Sequence, residues 1–457
     1  MLPLASVLVV SSIAAITEAQ DPTGSSQHVV VQVTDSGFRG AAELSVAINP
    51  ADPENVVIVS FAEGPPEGPG ITNYAYVSGD GGRSWTTVAQ PNPDRRTQGD
   101  DAVTFDAQGR AFHSYISFEG IRVPRPTKAW NGIFVSRSDD GGASWGDPVP
   151  VVDHINTVEP FEDKPWIVTD NIETSPNYGN VYMAWTRFDV YGSSDPADST
   201  QILFSRSVDG GESFSVPHRI SDSGGDAVDS DDTVEGAVPS VGPEGQVYVA
   251  WAGPRGIVVD RSLDGGWTFG EDRVVATNPG GWDIPLPGMA RHNGMPVTGV
   301  DLSSGSDRGS VYVNWIDERN GDTDVFVIAS RDGGESWGDP VRVNDDPVGN
   351  GRAQLFTWMA VDPVDGSLSV VYLDRPAAEG NAQGVALARS TDGGRSFQST
   401  PIDQEPFTCP ESVFFGDYLA VAAFGGRVVA AWPHCLDSGE LALSAALFRF
   451  AQPQLPT

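Results

Sequence analysis

Six copies of one turn constrain this chain more than any other feature. They read "SGDGGRSW" from Ser78, "SDDGGASW" from Ser138, "SVDGGESF" from Ser207, "SLDGGWTF" from Ser262, "SRDGGESW" from Ser330 and "STDGGRSF" from Ser390. Counted between Asp80, Asp140, Asp209, Asp264, Asp332 and Asp392, the spacings are 60, 69, 55, 68 and 60 residues. Periods of this length belong to stacked supersecondary units, each too small to bury a core alone. Within the pattern S-x-D-G-G-x-[ST]-[WF], the Asp accepts local backbone hydrogen bonds and the paired glycines supply positive φ values for a tight hairpin. The closing aromatic offers an apolar face to a neighbouring sheet. A motif present six times is a structural staple, and the six aspartates are read as holding the fold.

A second unit recurs upstream of each turn: an apolar strand, a glycine-containing turn, and an alternating strand ending in an aromatic. It appears at 41–61, 101–118, 179–189, 245–253, 309–319 and 366–376, and a seventh, "DYLAVAAFGGRVVAAWPH" (417–434), has no staple after it. Alternating β-branched runs between glycine turns are strands, and no helical periodicity interrupts them. The seventh unit gains a third strand at 441–450 and then lacks an outer one, which "HVVVQV" (28–33) can supply. Such a pairing closes a ring and removes exposed edges. The expectation is therefore an all-β, seven-bladed propeller of four-stranded antiparallel blades over residues 28–450, with six blades as the alternative count and a tail at 451–457.

Antiparallel blades sort loops by face, so the staples lie on one face and the starts of the innermost strands on the other. The second face carries a convergent polar set: Arg39, Asp100, Asp101, Glu162, Asp163, Lys164, Glu235, Arg291, His292, Arg352, Asp417 and Tyr418, joined by Glu63, Arg187, Arg255, Asp317, Arg375 and His434. Single loop charges are ordinarily just solvated. Arginines gathered beside carboxylates on one mouth suit an anionic or polyhydroxylated ligand.

Charge narrows the partners. With 27 basic against 62 acidic residues the formal net charge is −35, which disfavours nucleic acid and anionic membrane surfaces. The opening "MLPLASVLVVSSIAAITEAQ" reads as a secretory signal cleaved after Ala19, followed by a linker at 20–27, so a secreted or periplasmic protein is expected. Cys409 and Cys435 lie 26 residues apart and both fall on the face away from the staples, so an exported chain can pair them as a disulfide; two separate thiols are the alternative. The acidic turns 222–235 and 317–324 have the oxygen chemistry of a structural Ca²⁺ site without the spacing of an EF-hand loop. Otherwise no metal or cofactor is implied: HExxH, P-loop, dinucleotide and nucleophile-elbow motifs are all missing from the sequence. A ring that closes on itself makes a monomer the default.

On these residues the chain resembles the Asp-box sialidase superfamily, its repeats covering about residues 78 to 397. That resemblance implies a propeller in which three arginines hold a substrate carboxylate, a Tyr/Glu pair supplies the nucleophile and an acid protonates the leaving group. "FRGA" keeps Phe38 and Arg39 of the family's first-strand motif, and "SFAEGP" keeps Ala62, Glu63 and Gly64. The family's later Glu and second arginine fall on Glu235 and Arg255, its third arginine on Arg375 in "LDRP", and its tyrosine on Tyr418 in "GDYLAV". Glu67, Asp100 or Asp101 would be the acid, and Arg291 and Arg352 would add to substrate binding. Three readings stand: a sialidase-like exo-glycosidase acting on anionic glycans; a uronate-directed lyase with His292 or His434 as base and Tyr418 as acid; and a secreted glycan- or protein-binding propeller without chemistry.

Overall fold

The computed structural model describes residues 28–34, 38–63, 71–92, 96–121, 128–229, 232–378, 380–402 and 405–451. The signal segment, the linker, Glu67 and nearly all of the tail lie outside these residues. Among the described residues there are strands and no helix, and the strands form seven four-stranded antiparallel sheets. The chain is a seven-bladed propeller, which discards the six-blade alternative.

Six blades run outward in chain order, each from an innermost to an outermost strand. Blade 1 comprises Arg39–Ile48, Val56–Glu63, Ile71–Ser78 and Thr86–Ala89. The innermost strands of blades 2 to 6 are Thr97–Phe105, Phe161–Thr169, Glu235–Val241, Val297–Val300 and Gln354–Val361. Blade 7 is built from Ala420–Phe424, Arg427–Cys435 and Leu441–Arg449, and His28–Gln32 adds its outermost strand, with Val30 opposite Ala446. The first and last strands of the described residues thus share one sheet, and the ring closes without an exposed inner edge.

The staples sit between the third and fourth strands of blades 1 to 6, and their geometry repeats. In blade 5, Ser330 Oγ accepts the Gly334 N–H at 2.8 Å and donates to Asp332 Oδ1 at 2.8 Å. Asp332 Oδ1 also accepts the Ser336 N–H at 2.8 Å, and Oδ2 accepts the Ser336 hydroxyl at 2.6 Å. Asp80, Asp140, Asp209, Asp264 and Asp392 make the same closing bond to the hydroxyl four residues on. The second glycine of each pair also meets the preceding blade: a Cβ on Gly82 would lie 2.5 Å from Leu447, and one on Gly266 2.5 Å from Phe204. The glycines therefore do two jobs, supplying positive φ and letting one blade lie against the last.

Down the axis runs a channel of about 660 Å³, lined by the innermost strands and walled by residues such as Val46, Val168, Val238, Met359 and Phe424. Trp166 and Trp358 close it, their ring centroids 4.2 Å apart, and Tyr418 packs on both at 5.3 and 5.6 Å. The disulfide joins Cys409 to Cys435 across a Cα separation of 5.4 Å.

Candidate functional site at the axial end

Five of the seven innermost strands do not start as regular ladders. Their register to the second strand breaks between Ala42 and Ser45, Gly99 and Ala102, Asp163 and Trp166, Glu235 and Val238, and Leu355 and Thr357. Inside these breaks Glu43, Asp100, Lys164, Gly236 and Phe356 take φ values of 50°, 52°, 49°, 74° and 39°. Bulges re-aim side chains. Non-glycine residues held at positive φ carry strain that the surrounding structure must over-determine. Here that surrounding is a buried cluster of charges.

Lys164 is its hub. Nζ donates to Glu235 Oε1 at 2.6 Å and to Asp163 Oδ2 at 3.1 Å, and lies 3.4 Å from Asp417 Oδ2. Asp417 Oδ1 also receives Arg291 Nε at 2.9 Å and Asn293 Nδ2 at 3.0 Å. Arg291 reaches on to Asp229 at 3.3 Å, and Tyr191 donates its hydroxyl to that carboxylate at 2.7 Å. On the other side Asp100 Oδ2 accepts the Lys164 N–H at 3.1 Å, and the Asp100 N–H faces Glu43 Oε2 at 3.4 Å. Glu43, Asp100, Asp163, Lys164, Glu235 and Asp417 are all buried; Arg291 and Asp229 form the edge towards solvent.

Burial sets the protonation of this cluster. It pushes Glu43 up to about 7, helped by the Asp417 charge, and Asp163 up to about 7 against the pull of Lys164. Glu235 rises to about 8 for the same reason, with Asp229 and Asp163 adding to it. Asp100 is raised well above the carboxylate range by burial and by Glu43. For Lys164 burial acts the other way, yet Asp163 and Glu235 outweigh it and hold the ammonium firmly charged. Several carboxyls here keep protons near neutral pH beside fixed cations, which is the condition for acid–base work.

The structure sorts the expected site residues. Asp100, Glu235 and Arg291 enter the cluster. Tyr418 adjoins it: burial, Glu43, Asp100, Asp101 and Asp417 all raise its hydroxyl, so it is held neutral. Tyr418 and Glu235 do not form the expected pair. Glu235 is committed to Lys164 and to the Thr233 hydroxyl at 3.1 Å, while the tyrosine ring is fixed in the tryptophan plug.

Nor do Arg39, Arg255 and Arg375 converge as a clamp. Arg39 is exposed and faces Glu440 at 3.6 Å, in register with Glu63 on the second strand. Arg255 turns to the outer edge of blade 4, where Asp272 takes it at 3.0 Å. Arg352 donates to the Arg375 carbonyl at 2.8 Å and to Asp374 at 2.7 Å, so it supports the Arg375 loop. Asp101 is sequestered by His113 at 2.6 Å, both fully buried. Among the described residues no group of three or more His, Cys, Asp or Glu side chains is arranged to hold a metal.

Arg375 is different. It is buried, donates to the Pro287 carbonyl at 2.7 Å, has no carboxylate partner among the described residues and leaves Nε without a hydrogen bond. Burial lowers its affinity for the proton, and its charge helps burial to push neighbouring His292 down to about 3. His292 directly follows Arg291, which puts Arg375 on the face of the carboxyl cluster but not among its ion pairs. Glu43 escaped the sequence reading because "AAELSVAI" looks like an uninterrupted apolar strand. The signal was alignment: Glu43 occupies the strand-start position of Asp100 and Lys164.

Fold and site together define a seven-bladed propeller with a proton-holding axial cluster on the face away from its staples. No family model matches the chain, and no curated protein matches it. Among solved structures it is similar to the phage phi92 endosialidase, with a TM-score of 0.52 and 10% identity over 94% of this chain and 70% of that one. It is also similar to a protein of unknown function from Dyadobacter fermentans, with a TM-score of 0.48 and 14% identity over 92% and 99%. The NanB sialidase of Streptococcus pneumoniae gives a TM-score of 0.48 and 10% identity over 94% and 95%. At such identities the likeness is one of fold.

Proposed function

We propose that the protein is an exported, glycan-acting enzyme that takes an anionic glycan at the axial end opposite the staples. The observation that carries this reading is the cluster of proton-holding carboxyls at the axial end, with Arg375 on the same face as a buried guanidinium that has no carboxylate partner among the described residues. A buried cation left uncompensated is costly, and a substrate carboxylate or sulfate would complete it. Glu43 and Asp100 are then the acid–base couple: Asp100 holds a proton and passes it to the leaving glycosidic oxygen, while Glu43, at about 7 and so partly ionised near neutral pH, takes a proton from the water that attacks the anomeric carbon. Tyr418 contributes a neutral hydroxyl rather than a nucleophile primed by Glu235. Lys164 and Arg291 are positioning residues that keep the carboxyls in place.

The test is turnover of a fluorogenic α-sialoside and of a polyuronate, the second read by the absorbance of the unsaturated product of lyase chemistry. Asp100→Asn is expected to lower turnover by about 10²- to 10⁴-fold, and Arg375→Met to raise KM for anionic substrates more than it lowers kcat. Failure of the wild type on every anionic glycan would refute the reading. A second reading, a binding propeller without chemistry, is favoured by the depth of Glu235 and Tyr418, 0% and 2% exposed. It predicts saturable glycan binding with no product.

A further inference from the structure

On the staple-bearing face, a groove of about 580 Å³ separates the staples of blades 4 and 5. Its walls include Tyr248, Leu263 and Phe269, and Asp260 and Asp272 line it. Asp260 is 2% exposed, and its Oδ2 has no hydrogen-bond partner. The Asp272 side chain is also 2% exposed, with Oδ2 accepting from Arg255 and from the Asp222 N–H, both at 3.0 Å, and Oδ1 without a partner. The arginines at the rim do not compensate Asp260: Arg261 and Arg273 are both held by Glu335 of the next blade.

Comparison among the repeats shows what the fold itself requires at this position. Two residues before the staple serine, the other repeats have Tyr76, Ser136, Ser205, Ile328 and Ala388, so blade 4 alone has an acid there. Three residues after the closing aromatic, they have Val88, Pro148, Pro217, Pro340 and Thr400 where blade 4 has Asp272. In blade 3 the local structural task falls to Ser215, whose Oγ accepts the Arg206 N–H at 3.1 Å. In blade 4 Asp260 Oδ1 does that task, accepting the Arg261 N–H at 2.6 Å and the Gly270 N–H at 3.0 Å. The fold thus accounts for one carboxylate oxygen and leaves the other, buried in the groove wall, without a partner.

We propose that this groove binds an organic ammonium group, received by Asp260 with Asp272 beside it and with the Tyr248 and Phe269 rings against the carbon skeleton. Burial, with the Asp272 and Asp222 charges, pushes Asp260 up to about 7; an ammonium would give both open oxygens a partner and favour the ionised carboxylate, whereas an anionic ligand would oppose it. The chemistry is that of an amino sugar or a lysine side chain, and the site is separate from the axial cluster.

The experiment is calorimetric titration of the full chain with glucosamine, with Nα-acetyl-lysine amide and with glucose. Saturable binding of either amine, and none of glucose, is expected; the tighter amine identifies the natural source. The double variant Asp260→Ser/Gly270→Ser rebuilds the Ser205–Ser215 arrangement of blade 3, and amine binding should weaken by about thirtyfold or more. Asp260→Asn removes the charge with the shape kept, and decides the matter should the double variant fail to fold. Glucose binding as tightly as glucosamine, no amine binding at all, or amine binding unchanged in Asp260→Asn would each overturn the proposal.

Discussion

Replacing Glu235 with Gln removes one titrating group from the axial cluster while keeping its shape. Gln can still accept from Lys164 and still meet the Thr233 hydroxyl, both hydrogen-bond partners of Glu235, and loses only the charge that faces Arg291 at 4.0 Å. In the wild type, burial with Asp229 and Asp163 moves Glu235 from 4.5 to about 8. A carboxyl raised on folding stabilises the fold fully below its unfolded value, and that contribution is lost as pH rises through the folded value. The window is therefore pH 4.5 to about 8. At about 1.4 kcal/mol per pH unit the loss approaches about 5 kcal/mol. Asp163 shares the Lys164 ammonium and takes part of it, so a difference of about 2 to 5 kcal/mol is expected.

The assay is urea unfolding of wild type and Glu235→Gln, followed by tryptophan fluorescence at intervals from pH 4.5 to 8.5. The repulsion of a chain of net charge −35 also weakens the fold as pH rises, but it is nearly common to both proteins and largely cancels in the difference. The variant should gain stability relative to wild type as pH climbs. Parallel curves would show that Glu235 does not titrate in this window. A variant less stable than wild type by a constant amount across the window would show Glu235 ionised throughout as an ordinary partner of Lys164, and the acid–base reading of the cluster would go with it.

Three further outcomes are expected. Ser330→Ala leaves the buried Gly334 N–H without its 2.8 Å acceptor, and should cost about 1–3 kcal/mol in denaturant midpoints. Cys435→Ser opens the Cys409–Cys435 bond, which closes a 26-residue separation, and should cost about 3 kcal/mol, matched by wild type under reductant in thermal melts. Removing residues 28–34 takes away the strand paired with Leu441–Arg449; the exposed edge should drive self-association in size-exclusion chromatography.

The blades were legible because their information is local. Each staple carries its own hydrogen-bonding residues, each strand alternates, and the strand missing from blade 7 could be matched to 28–33 by counting alone. Two outer strands are only His218–Arg219 and Val341–Arg342, too short for any pattern to announce. The axial end was less legible, since its contacts depend on which side chains face one another across a ring. Motif order singled out Glu235, Arg255, Arg375 and Tyr418, but order carries no information about direction. Arg255 points outward to Asp272, and Glu235 is claimed by a lysine that the motif does not include. Strand-start bulges decide this, and a residue such as Glu43 at positive φ leaves no mark in an apolar run.

Ring geometry explains why the tyrosine and the glutamate found different partners. Tyr418 starts blade 7 and Glu235 starts blade 4, so they approach the axis from nearly opposite sides. Between them the axis is filled: Trp166 from blade 3 meets Trp358 from blade 6 at 4.2 Å, and Tyr418 completes the plug. The charges acting on Tyr418 accordingly come from blades 1 and 2 and from its own neighbour Asp417. Lys164 bridges the remaining gap, joining Glu235 of blade 4 to Asp417 of blade 7 above the plug. A ligand entering the channel from the staple face would pass Arg308 and then meet the tryptophan plug before the cluster. Access to the cluster therefore lies on the face of Arg291 and Asp229, and the two faces of the ring can bind different ligands without competing.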